Sequence, residues 1–126
     1  MNTFRLGLDL IKSGPLQTVT MRQYDHRGTT IVAKVYDHGQ AITTSELTAR
    51  MVMAYPDKSG FYRGAATYSN GTITHVVDEK QACDIAGRTD RAYFELTDQS
   101  GRTFSTQSFA VVILPSGVDG MSNIQP

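Results

Sequence analysis

Tryptophan is absent from this 126-residue chain, cysteine occurs once and proline four times. A single thiol, Cys83, excludes an internal disulfide framework and leaves the redox compartment open. A small half-buried residue on a short helix is the reading favoured for it over a nucleophile. No apolar run is long enough to span a bilayer, and the start MNTFRLGLDL lacks an apolar core followed by a small-residue cleavage site. Neither a membrane anchor nor a signal peptide is therefore expected. An excess of either charge is also missing: 12 basic and 12 acidic residues cancel and are scattered. Without a positive stripe to track phosphates, nucleic acid is not an expected partner. No G-x-S-x-G, G-x-x-x-x-G-K or G-x-G-x-x-G occurs, which removes the nucleophile elbow and the common nucleotide cradles.

What is present is a chain that is 40% apolar, without low-complexity tracts, and long enough for one domain with its own core. The stretch from Arg91 to Leu114 organises the reading. Ala92, Phe94 and Leu96 alternate with Tyr93, Glu95 and Thr97, the period of two that gives a strand one apolar face. Asp98 to Gly101 supplies turn chemistry. Phe109 to Leu114 is a short β-branched apolar run that reads as a strand covered on both faces.

Earlier segments supply that cover. Phe4, Leu6, Leu8 and Leu10 share one side of a first strand, which Ser13, Gly14 and Pro15 end. Thr18 to Gln23 and Ile31 to Tyr36 flank a polar knot from Asp25 to Gly28 and are expected to form an antiparallel hairpin. Gln40 to Ala49 reads as loop or edge. Arg50 to Tyr55 and Phe61 to Tyr68 form a hairpin around Pro56 to Gly60. Asn70 and Gly71 are the pair that a two-residue type I′ turn prefers, and Ile73 to Val77 follows as a strand. One helix is expected over Glu79 to Ala86, with Asp78 as its cap, Gln81 completing a capping box and Gly87 closing it. The sum is an all-β antiparallel β-sandwich, Ig-like or jelly-roll-like, of eight or nine strands with one short helix over residues 1–114. Residues 115–126, rich in Pro, Gly and Ser, read as a flexible C-terminal tail or linker.

Candidate chemistry is sparse. His26, His38 and His75 have no i, i+3 or i+4 relation, so solvated or packed imidazoles outweigh a metal site. Asp78 with Glu79, or Asp84 with Asp90, are the carboxylate pairs open to a glycan-cleaving enzyme, but on a small sandwich such pairs are more often caps and solvated turns. Tyr24, Tyr36, Tyr55, Tyr62, Tyr68 and Tyr93, with Phe61, would stack on sugars only if several shared one exposed face. They fall on different strands, which favours core and strand-edge roles. Met21, Met51 and Met53 suit a protein interface only if exposed. No catalytic, cofactor-binding or metal residue is assigned, and no cofactor is expected.

The succession LGLDLIKSG, TVTMRQYD, VAKVYDHGQAI, MVMAYPDKSG, GRTDRAYFEL and TFSTQSFAVVI resembles the N-terminal domain of phage baseplate upper proteins, found in siphophages of Gram-positive bacteria. Met21, Arg22, Gln23, Asp25, Pro56, Asp57, Phe94, Glu95, Ser105, Thr106 and Phe109 carry the likeness, which spans Phe4 to about Leu114. The chain departs from the pattern in its helix-to-strand link with an isolated Cys83 and in stopping where family members usually continue. The resemblance implies a non-enzymatic virion protein, made in the host cytoplasm and carried in the tail baseplate. It further implies a sandwich that docks on the tail hub, the distal tail protein, and links to receptor-binding proteins for host adsorption. Its partners would be proteins, neither nucleic acid nor membrane, and a homo-oligomer, a trimer first, is expected. A carbohydrate-binding sandwich contacting host cell-wall saccharide is the alternative.

Overall fold

The computed structural model describes residues 2–11, 14–23, 28–44 and 46–116. Its strands are β1 (Asn2–Asp9), β2 (Thr18–Arg22), β3 (Thr29–Asp37), β4 (Gln40–Ala41), β5 (Thr48–Ala54), β6 (Phe61–Ser69), β7 (Thr72–Val76), β8 (Gly87–Thr97), β9 (Thr103–Ser105) and β10 (Phe109–Leu114). A single-turn helix, α1 (Glu79–Ala82), lies between β7 and β8. The strands follow the order β1-β3-β7-β6-β5-β8-β10-β2, with β4 beside β3 and β9 beside β8. The long strand β6 belongs to both halves of this wall: Phe61 to Ala66 pair with β5, and Thr67 to Ser69 pair with β7. The all-β architecture expected from the alternating apolar pattern is thus present, bent into a nearly closed sandwich.

The core is the inward set of those alternations. Leu6 and Leu8, Ile31, Ala33 and Val35, Met51 and Met53, Phe94 and Leu96, and Val111 and Ile113 all lie in one buried cluster. Phe94 stacks on Phe109 with ring centroids 5.7 Å apart, within the range favoured for offset aromatic pairs. Phe109–Leu114 is mostly buried, as its uninterrupted apolar run requires, with Val112 and Leu114 only half-buried.

Four expectations need correction. Residues 18–36 are not a hairpin: β2 runs parallel to β10, while β3 lies between β1, parallel, and β7, antiparallel. Alternation specifies which face of a strand is buried, not which strand lies beside it, and two ladders of the sandwich are consequently parallel. The helix is one turn rather than two. Asp78 makes no side-chain cap, and its N–H donates instead to Tyr62 Oη at 3.1 Å. Gly87, at φ 134°, opens β8 instead of closing the helix, and a Cβ there would stand 2.8 Å from Pro56 Cβ. The chain passes too close to the β5–β6 turn for any side chain, which places the glycine in the strand. Strands β4 and β9, at two and three residues, are too short to show a period. The Asn70-Gly71 turn is as expected, with φ 47° and 82° at its two residues.

The two ends of the strand order, β1 and β2, do not pair as backbones. Side-chain amides bridge them. Gly7 N–H donates to Gln17 Oε1 at 3.0 Å, and Gln17 Nε2 donates back to Gly7 O at 2.6 Å. Gln17 O accepts the Ala110 N–H, so the same residue extends the β2–β10 pairing while its side chain acts as a surrogate peptide for β1. Two residues further along β1, Asp9 N–H donates to Gln107 Oε1 at 2.9 Å, and Asp9 O accepts the Gln107 N–H at 2.7 Å. Gln107 Nε2 completes the set by donating to Pro15 O. The carboxylate of Asp9 meanwhile accepts N–H groups from Ile11, His38 and Gly39, which ties the β3–β4 turn to the same point. Those backbone donors, Ile11 first, hold its pKa below the ordinary aspartate value.

Of the segment expected as a tail, Pro115 O accepts from Arg22 Nη1 and buried Ser116 donates its N–H to Gln23 Oε1. Residues 117–126, and with them most of the expected linker, lie outside the described residues, as do Ser13 and Asp25.

Replacing Gln107 by Ala removes the partner of a part-buried N–H and the donor to Pro15 together. Such losses cost about 1–3 kcal/mol each way a buried group is left unmet. Urea denaturation of Gln107→Ala is expected to show a loss in that range, with a smaller loss for exposed Gln17→Ala; an unchanged Gln107→Ala midpoint would remove the amide bridge from the account.

Candidate interaction surface

The residues singled out for chemistry are dispersed. Among the described residues, no group of three His, Cys, Asp or Glu side chains converges as metal ligands would. His38 sits exposed in the β3–β4 turn beside Asp37, at 2.8 Å. His75 is buried mid-strand, and His26 lies outside the described residues. Asp78, Asp84 and Asp90 are exposed, and Asp90 pairs with Arg88 at 2.9 Å rather than with another carboxylate. Cys83 is buried, with its sulfur 3.8 Å from Met21 Sδ.

The aromatic and thioether candidates are mostly used inside the fold. Met21, Met51 and Met53 are core residues, so the exposed-methionine interface does not exist. Tyr62 is buried, Tyr55 Oη donates to Gln81 O at 3.0 Å, and Tyr68 Oη donates to Thr44 O. Lys34 lies 5.8 Å from the centroid of the Tyr36 ring. Tyr24 lies outside the described residues. No face collects several exposed tyrosines, which removes the sugar-stacking arrangement among the described residues.

One face differs. On the outer side of β6, β5 and β8, opposite the Met51 and Met53 side chains, pairing places Arg63, Val52 and Tyr93 in one row and Ala65, Arg50 and Glu95 in the next. Phe61 stands at the end of this face, opposite Ala54, and is 49% exposed. The Arg63 guanidinium lies 5.2 Å from its ring centroid, a cation–π geometry. Val52 is only 2% exposed although it faces outward, so the long side chains beside it cover an apolar floor. Arg50 and Glu95 pair across the strands at 2.6 Å.

The edge of that face holds a cavity of ≈ 360 Å³. Strand β8 begins at Gly87, but its ladder with β5 starts only at Ala92. Its first residues therefore run past the end of β5, beside the Tyr55–Gly60 turn. Tyr55, Lys58 and Phe61 line one side of the resulting gap, and Arg88, Asp90 and Arg91 line the other. A register shift between Phe109 and Val111 opposes two residues of β8, Asp90 and Arg91, to one of β10, Ala110. This bulge breaks the alternation: Thr89 and Ala92 turn inward, while Asp90 and Arg91, adjacent in sequence, are both exposed. Sequence reading missed this cluster because the Arg88-Thr89-Asp90-Arg91 charges look like a link, and their one signal was a break in period just ahead of Ala92.

A family model described as the BppU N-terminal domain matches residues 3–124. Among solved structures, the N-terminal domain of phage TP901-1 ORF48 is similar at TM-score 0.71 and 23% identity, over 90% of this chain and 99% of that one. At that identity the likeness speaks for the fold. No curated protein matches the chain.

Beneath this face lies His75, the one buried imidazole among the described residues. Tyr62 Oη donates to His75 Nε2 at 2.8 Å, and His75 Nδ1–H donates to Ala65 O at 2.9 Å. The ring is neutral in that arrangement, and burial pushes its pKa below the usual 6.5. The His75 ring also takes the space a side chain on Gly64 would need, since a Cβ there would lie 2.5 Å from His75 Cε1. Between the folded and unfolded pKa values the unfolded chain binds more protons, so stability is full above 6.5 and falls as the pH drops below it. The carboxylates of Asp9, Asp57 and Asp98, whose pKa values are lowered, add their loss only below the ordinary aspartate value. The denaturation midpoint is expected to fall between pH 7 and pH 5, and to fall less in His75→Gln; identical pH profiles would show that His75 does not carry the effect. Gly64→Ala should lose about 1–3 kcal/mol at pH 7 by overpacking.

Proposed function

The chain belongs to the family of baseplate upper protein N-terminal domains, and from that premise we propose that it is an adaptor: a module that docks on the tail hub and links it to receptor-binding parts. As a member of that family it is a structural component of a phage tail baseplate, located in the virion tail and in contact with other baseplate proteins. The single observation that carries the adaptor reading is the match of residues 3–124, nearly the whole chain, to a domain of baseplate architecture.

The finer reading is as follows. The distal tail protein is the docking partner, receptor-binding proteins lie on the far side, and the assembled form is a trimer. The protein is made in the host cytoplasm and joins the tail there. It performs no catalysis, and its role is met by a rigid wall and a complementary surface. Residues 115–126 serve as the connection onward from the sandwich at 1–114. The dispersal of the histidines and carboxylates supports this reading, as does the engagement of Tyr55, Tyr62 and Tyr68 within the fold. A saccharide-binding module would instead need its aromatic rings free and coplanar.

Light scattering of the purified chain, alone and mixed with the distal tail protein of the same phage, tests the reading. A trimer, or a stable mixed complex, is the expected result. A monomer that ignores the distal tail protein and is retained on cell-wall saccharide would reverse it in favour of saccharide binding.

A further inference from the structure

We propose that the outer face of β6, β5 and β8 is the docking surface, and that it receives an acidic segment of another baseplate protein that seats an apolar side chain beside Phe61. The inference rests on the adaptor reading and adds to it the face and the chemistry of the partner.

Charge gives the first argument. The chain as a whole is neutral, with 12 basic and 12 acidic residues. The face and its edge cavity concentrate Arg50, Lys58, Arg63, Arg88 and Arg91 against Glu95 and Asp90. Glu95 is held by Arg50 and Asp90 by Arg88. Lys58, Arg63 and Arg91 then remain without a carboxylate partner among the described residues. Asp57, in the same turn, spends its carboxylate on the Ser59 N–H at 2.9 Å. A local positive excess on a neutral protein selects an acidic partner and rejects a basic one.

Shape and composition give the second. Among the described residues Phe61 is the one large aromatic left half in solvent, and it stands at the mouth of the ≈ 360 Å³ cavity. Aromatic and arginine side chains around a pocket, with an apolar floor such as Val52, are the composition of an interface centre rather than of ordinary surface. The β8 bulge turns Asp90 and Arg91 outward together, a device that re-aims side chains beside functional sites. On the opposite sheet the outward Lys34 is already engaged, over the Tyr36 ring.

The test uses the full chain and purified tails of the phage that encodes it. Tails assembled without the protein are mixed with wild type, with Phe61→Ser, with the double variant Lys58→Glu/Arg91→Glu, and with Lys34→Glu as a control on the other sheet. Retention on sedimented tails is then measured. Denaturation midpoints establish that each variant is folded; should Phe61→Ser fail to fold, Phe61→Tyr and the charge variant carry the test. About tenfold weaker retention is expected for Phe61→Ser and for the charge variant, with Lys34→Glu unchanged. Wild-type retention should weaken as salt is raised. Undiminished retention of the folded charge variant overturns the acidic partner, and equal loss in Lys34→Glu overturns the choice of face. Wild type absent from tails would fail the adaptor reading itself, and the proposal would fall with it.

Discussion

The pairing of β1 with the amides of Gln17 and Gln107 is the interaction on which the rest of this fold depends. A sheet of this length has two edges, and an unpaired edge is a row of backbone donors and acceptors that other chains can bind. Here the terminal strands β1 and β2 come from the start of the chain, and β10, the last strand among the described residues, lies beside β2. Across the gap the Gln17 side chain meets Gly7 with the donor and acceptor pattern that a neighbouring strand would present, and Gln107 Oε1 accepts the Asp9 N–H. The Gln107 N–H, donated to Asp9 O, joins the connection before β10 directly to β1. The closure therefore links residues nearly a hundred positions apart, and the chain-entropy cost of doing so is offset only once the whole wall has formed.

Closure explains what the protein has to offer elsewhere. With the edges bridged, the apolar residues of both halves turn inward and the outward faces become a fixed scaffold. On that scaffold the mismatch between β8 and β5 leaves a gap, the Gly87 contact with Pro56 brings the two walls of the gap together, and the bulge lines it with charge. Tyr62, His75 and the bare Gly64 backbone hold β6 and β7 together beneath the same face. A structural component of a baseplate needs a rigid surface that keeps its shape when loaded, and this arrangement supplies one.

The strands were legible in the sequence wherever an alternation ran for five residues or more. Phe4 to Leu10, Arg50 to Tyr55 and Ala92 to Leu96 each declared a buried face, Phe61 to Tyr68 was readable as a hairpin partner, and Asn70-Gly71 declared its turn. Partners were not legible. Nothing in Thr18 to Gln23 distinguishes pairing with β3 from pairing with β10, because alternation is blind to neighbours, and so the expected hairpin gave way to two parallel ladders. Gly87 carried an ambiguous signal: left-handed glycine suits a helix end, but the same freedom is needed where β8 passes Pro56. The interaction face was hidden for a related reason. Arg88, Asp90 and Arg91 come together through a bulge and a difference in strand length, both tertiary features, while Gln17 and Gln107 look like ordinary polar loop residues until β1 is placed between them. The likeness to baseplate upper protein domains was carried by diffuse strand and turn residues, and the family match over residues 3–124 bears it out.

The central claim is that this domain is a rigid module presenting the β6-β5-β8 face to a neighbour in the baseplate. A cryo-electron microscopy reconstruction of the intact tail tip would test it most directly. The account predicts a neighbouring chain over Phe61, with carboxylates facing Arg63 and Arg91 and the glutamine-bridged seam intact. A reconstruction in which that face looks into solvent, with the domain held by another surface, would contradict it.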